Sequence, residues 1–261
     1  MSYRSGGYKS PFIGVGALIG ILVVGGFAMR AQTIIGSLAG AGTLTTSEGV
    51  ERELFRSAET GPVYRTLKRT YPQEFDALTA DVVRRAKAGE THDQIEDAIL
   101  TDMIEAGKRH RKDMIQTPHD RFADYRGAEI GVVSMLRDRD PQLCATYVMN
   151  GAVRSQSQRL DPAKFIAMRI AVLEAGAAGR DHPVNRTVAM PGPADLQLIR
   201  SRMMADGIGQ SGIDAFFSQA GLTKSPPLEQ CAIGLSFYRA VDQLPGDKAD
   251  QFYAWLISRD G

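Results

Sequence analysis

Residues 72–112 read PQEFDALTADVVRRAKAGETHDQIEDAILTDMIEAGKRHRK, and their spacing decides the fold class. Pro72 suits the first position of a helix, where the missing N–H leaves no bond unmade. Phe75, Leu78, Val82 and Ala86 follow at three- and four-residue steps, an apolar stripe of helical period. Gly89 is the expected stop. Thr91 with Gln94 then forms a capping box. Ile95, Ile99, Met103 and Ala106 make the next stripe, which reaches a half-buried His110. Acids early in this helix and bases late complement its dipole.

The same grammar recurs outward from this pair. Thr117-Pro118 opens a helix carrying Phe122, Tyr125, Val132 and Leu136 near one face. Asp140-Pro141, Asp161-Pro162 and Ser225-Pro226 repeat the cap-then-proline signature. Leu196, Ile199 and Met203 mark a further helix, and Ser211 with Asp214 and Asp247 with Asp250 suggest two more starts. No run alternates with the period of a strand; Thr187–Met190 comes nearest and is too short. The expected fold is all-α, a single N-terminal transmembrane helix followed by a multi-helix soluble domain of about nine helices.

The transmembrane expectation rests on residues 12–29, FIGVGALIGILVVGGFAM, eighteen residues without a charge. At 1.5 Å rise per residue they span about 27 Å, close to the hydrocarbon thickness of a bilayer. No polar face is present, which argues against a helix lying in the membrane surface. A cleaved leader would have a shorter apolar run and a small-residue site close behind it; here Arg30 intervenes and Ala39-Gly40-Ala41 lies some ten residues on. Gly16 and Gly20 form a GxxxG pair, a candidate helix-packing motif. Arg4 and Lys9 precede the helix and only Arg30 follows closely. The positive-inside rule therefore places the N-terminus in the cytoplasm and the domain outside it, in the periplasm of a bacterial cell.

The resulting layout is a short basic N-terminus at 1–11, the membrane helix at 12–29 and a flexible tether at 30–47. A helical subdomain at 48–178 follows, then a break around 179–193, then a C-terminal helical subdomain at 194–261. Of 31 basic residues three lie in the first thirty, leaving 28 against 30 acids in the rest. A domain so close to neutral has no basic footprint for nucleic acid.

Cys144 and Cys231 are the two cysteines of the chain. An even count in an oxidising compartment suggests a disulfide; the alternative is two buried small apolar residues. Neither cysteine has a partner at metal-ligand spacing, and no metal or cofactor is expected. Lys108, Arg109, Arg111 and Lys112 make the densest basic run, either a solvated helix end or a surface for a partner. His92, His110, His119 and His182 form no ligand pair of the HxxxH kind. Residues 207–212, GIGQSG, match GxGxxG, yet a helical stripe precedes them where a dinucleotide site needs a strand. They read as a helix end.

No catalytic constellation emerges. The expected function is a membrane-anchored binding, scaffold or accessory protein or a subunit of a larger membrane complex, held in the bilayer through residues 12–29 and meeting a protein partner or a second copy of itself. A membrane-anchored enzyme is the alternative, with His110, His119 and nearby carboxylates as its candidate residues.

Overall fold

The computed structural model describes residues 43–58, 60–150, 162–218 and 222–258. The expected membrane helix at 12–29, with Gly16 and Gly20, lies outside these. Among the described residues no helix is long and apolar enough to cross a membrane.

The described residues are helical with no strand. Twelve α-helices appear: α1 (Ser47–Arg56), α2 (Gly61–Thr70), α3 (Pro72–Lys87), α4 (His92–Arg109), α5 (Arg111–Ile115), α6 (His119–Arg139), α7 (Pro141–Asn150), α8 (Pro162–Asp181), α9 (Pro193–Ala205), α10 (Gln210–Ser218), α11 (Pro227–Asp242) and α12 (Lys248–Ser258). Short 3₁₀ turns sit at Thr43–Thr45 and Leu222–Lys224. The expected nine are all here, and α1, α2 and α5 are additional. The first two carry their own local signals. Thr46 caps α1 by accepting from the Gly49 N–H at 3.1 Å, and Pro62 stands in the first turn of α2. The third arises because the chain breaks at His110. The basic run therefore divides, with Lys108 and Arg109 ending α4 and Arg111 and Lys112 opening α5.

Most start signals work as local chemistry dictates. Thr91 and Gln94 make both bonds of a capping box, and Asp140 accepts from the Leu143 N–H at 2.9 Å. Gly89, at φ 78°, ends α3 in the left-handed region. Two expected caps are diverted. Ser211 is already inside α10, and Asp214 instead accepts from Arg200 and Gln210. The Asp250 carboxylate leaves its own helix for partners 64 to 131 residues distant. Residues 207–212 behave as expected of a helix end: Gly207 has φ 88°, and the Ile208 N–H reaches back to the Met203 carbonyl.

Helix α8 is the hub, packing against α2, α5 and α6. A second layer forms where α11 lies against α6, α7 and α9. The buried side chains make one continuous core that includes Leu54, Phe75 and Phe122 as well as Phe216, Phe237 and Leu256. Cys144 and Cys231 are fully buried between α7 and α11 at disulfide distance, with Cα atoms 5.4 Å apart. Gly234, one turn beyond Cys231, faces Val148, one turn beyond Cys144. A Cβ at 234 would overlap the valine, so glycine there lets the two helices approach closely enough for the sulfurs to meet.

Candidate functional site

Five helices and two of the junctions between them line a cavity of about 270 Å³. From α3 come Glu74, Ala77, Leu78 and Asp81, spaced as one face of a helix. Asp102, Met103 and Ala106 of α4 supply the opposite wall, Met114 of α5 and Val172, Leu173 and Gly176 of α8 the floor. Tyr71, between α2 and α3, and His110, between α4 and α5, occupy the two junctions at its edge. The walls are apolar and the rim is charged.

His110 is held on both sides. Its Nε2 lies 3.0 Å from Glu74 Oε1 and its Nδ1 2.9 Å from Asp113 Oδ2. Arg109 also donates to Glu74, through Nε at 3.3 Å and through Nη2 at 2.5 Å. The Arg109 bond is the main reason the Glu74 carboxyl stays below the usual carboxylate range, with burial opposing and His110 assisting. Burial would raise Asp81, but hydrogen bonds from Arg85 and Arg84 outweigh it and hold that carboxyl low as well. Asp102 moves the other way: partial burial raises it, and the neighbouring Asp81 adds to the rise. Burial also pushes the Tyr71 phenol well above its ordinary value, with Asp113 reinforcing it.

The second sequence candidate, His119, stands elsewhere. Its Nδ1 lies 2.9 Å from Asp250 Oδ2, in a cluster at the α5–α6–α12 junction. Asp250 also accepts from Arg126 and, at 3.0 Å, from Arg186. Arg126 reaches Asp242 at 2.9 Å. Arg186 donates to the carbonyls of Ile115 and Thr117, so it pins the extended segment 183–192 to the end of α5. Both guanidiniums of this knot are paired with carboxylates, and the arrangement holds helices together.

A third polar group is enclosed entirely. Glu129 of α6 has no exposed surface and is surrounded by Tyr125, Tyr147, Tyr238 and Tyr253. Burial pushes its carboxyl up to about 8. The Tyr253 and Tyr125 hydroxyls face it and partly offset the shift, without the alignment of full hydrogen bonds.

Of the basic run, Lys108 pairs with Glu105 at 2.7 Å and Arg109 with Glu74. Arg109 and His110 line the cavity, so the run and the cavity share one edge of the molecule. His110 and His119 belong to separate clusters, and the structure does not bring them together in one site. Tyr71, Glu74, Asp102 and Asp113 were not legible as site residues. Glu74 and Asp81 do flank Leu78 on one stripe, acids where an uninterrupted core face would be apolar, and that is the local signal for them.

Comparison with protein-family models, with curated proteins and with solved structures finds no match for this chain.

Proposed function

We propose that this chain is a membrane-anchored binding protein, its helical domain held on a tether outside the cytoplasm and working by recognition. The observation that carries the reading is the cavity between α3, α4, α5 and α8, a concave, apolar-walled volume with a charged rim. The buried Cys144–Cys231 pair supports placement in an oxidising compartment. Residues 12–29 supply the anchor, Lys9 and Arg30 its flanks, and Lys108, Arg111 and Lys112 a basic margin beside the cavity for steering a partner.

Two replacements in the full-length chain, at matched protein level, test the binding reading. Ala106→Phe puts a ring into the cavity and should abolish the cellular role. His110→Asn leaves the volume nearly unchanged and should leave the role largely intact. The enzyme reading draws on one observation, the imidazole between two carboxylates at the cavity edge, and it predicts the reverse weighting. A stably folded His110→Asn chain without function would decide for chemistry. For the anchor, the full-length chain should resist carbonate extraction; its release would remove the membrane from the proposal.

A further inference from the structure

Three carboxylates line the cavity, and they differ in what already holds them. Glu74 accepts from Arg109 and faces His110. Asp81 accepts from Arg84 and Arg85. Asp102 faces the cavity from α4 and accepts from no donor among the described residues. It is partly removed from water, and its neighbour Asp81 is another anion. Arg85, Arg109 and Arg84 lie near enough to oppose the rise of its carboxyl, yet each donates to Asp81, Glu90 or Glu74, which leaves Asp102 as the cavity carboxylate without a donor of its own.

Tyr71 is in a related condition. It is 6% exposed, its ring packs on the His110 ring at 4.3 Å and lies 4.8 Å from the Arg180 guanidinium. Its hydroxyl nonetheless has no hydrogen-bond partner among the described residues. That hydroxyl ends beside Gly176 on the cavity floor, where a Cβ would stand 2.5 Å from it. Glycine at 176 keeps the space in front of the phenol clear.

We propose that the cavity binds a small organic ammonium ion, its nitrogen on Asp102 and its body against Leu78, Met103 and Val172, with the Tyr71 hydroxyl a separate polar point of the lining. The inference rests on the binding reading above and names the chemistry of the ligand. An anion would meet Asp102 and Asp81, and the one guanidinium lining the cavity is already taken by Glu74. A neutral apolar guest would strip water from Asp102 and return nothing to it, which is costly for a charged group. A divalent metal would need several oxygen ligands, and no set of three metal-binding side chains exists among the described residues. Size fits the same answer. Benzene fills a cavity of about 150 Å³, so about 270 Å³ takes a ring with a short ammonium arm.

Three probes of one shape test this: 2-phenylethylammonium, 2-phenylethanol and 3-phenylpropionate. Binding to the full-length chain in detergent micelles is measured by calorimetry and saturation-transfer NMR at pH 7, with empty micelles as blank. The ammonium should bind about tenfold tighter than the alcohol, the worth of one charge-assisted hydrogen bond, and the carboxylate should bind weakest. Asp102→Asn, shown folded by circular dichroism, should bring the ammonium to within about twofold of the alcohol. Tyr71→Phe should leave the margin of the ammonium over the alcohol in place, since that margin rests on Asp102. Equal binding of ammonium and alcohol, or a preference that survives Asp102→Asn, overturns the proposal. Binding of none of the three also overturns it. In that case a role lost in Ala106→Phe would keep the binding function and reject only this ligand class, whereas a role retained would reject both.

Discussion

Two histidine clusters use the same residue types to opposite ends. At His119 the carboxylate and both guanidiniums are sealed: the side chains of Asp250, Arg126 and Arg186 are 1%, 3% and 4% exposed. At His110 the corresponding groups stay near solvent, with His110 at 28%, Glu74 at 19% and Arg109 at 56%. The sealed cluster satisfies every charge and joins α6, α12 and the 183–192 segment. The open one pairs Glu74 and leaves Asp102 unpaired beside a cavity. Burial separates a structural knot from a candidate recognition site, because desolvation makes an unmatched charge intolerable in the first and cheap enough to keep in the second.

The largest expected effect comes from opening the sealed cluster. Asp250→Ala strands two buried guanidiniums and should destabilise the domain by about 3–5 kcal/mol, read from chemical denaturation followed by circular dichroism. A loss below about 1 kcal/mol would mean that the knot is no stronger than a surface pair.

Next is the sulfur link in the same half of the molecule. Serine at both Cys144 and Cys231 should cost about 2–5 kcal/mol, the range for a bridge that closes a long loop, and non-reducing peptide mapping should join the two positions in the native protein. Free, alkylatable thiols there would remove both the bridge and the support it lends to an oxidising compartment.

Third, the enclosed Glu129 and the open cluster's Glu74 should respond to pH in opposite directions. Glu129 releases its proton near 4.5 in the unfolded chain and near 8 in the folded one. Between those values the folded state holds one proton more, so stability should fall as pH rises through that window, on the order of 1 kcal/mol per pH unit. Glu129→Gln should flatten that slope in thermal melts; an unchanged slope would place its origin elsewhere. Glu74 has its carboxyl lowered, so its contribution is present above about 4.5 and is lost as pH falls through its folded value.

The smallest effect belongs to the open cluster itself. Glu74→Gln should cost under about 1 kcal/mol, since its partners remain near water. A loss as large as that of Asp250→Ala would erase the distinction between the two clusters.

What could be read from residues alone follows the reach of each interaction. The stripe from Phe75 to Val82 and the Thr91–Gln94 box act within one or two turns, and both appear as expected. The break at His110 carries neither glycine nor proline. It is stabilised by Glu74, 36 residues away, and that is beyond any local pattern. The half-buried character of His110 was legible from its stripe; its two carboxylate partners were not. Asp250 shows the limit most clearly, since its position favours a cap and the fold assigns it to Arg126 and Arg186. For the cysteines an even count invited a pair, but their meeting needed Gly234 against Val148, a fact of packing between α7 and α11.

The reach of Asp250 also orders the events of synthesis. It leaves the ribosome 131 residues after His119 and 64 after Arg186, so those side chains do not meet the Asp250 carboxylate until synthesis is nearly finished. All the residues lining the cavity, from Leu67 to Gly176, are by then available to one another. The cavity half can consolidate early, with the Arg126 and Arg186 side chains still hydrated, and the arrival of α12 is the step that dries them. A polypeptide stalled or clipped before Lys248 would thus present a nearly complete recognition surface on a body that has not yet locked.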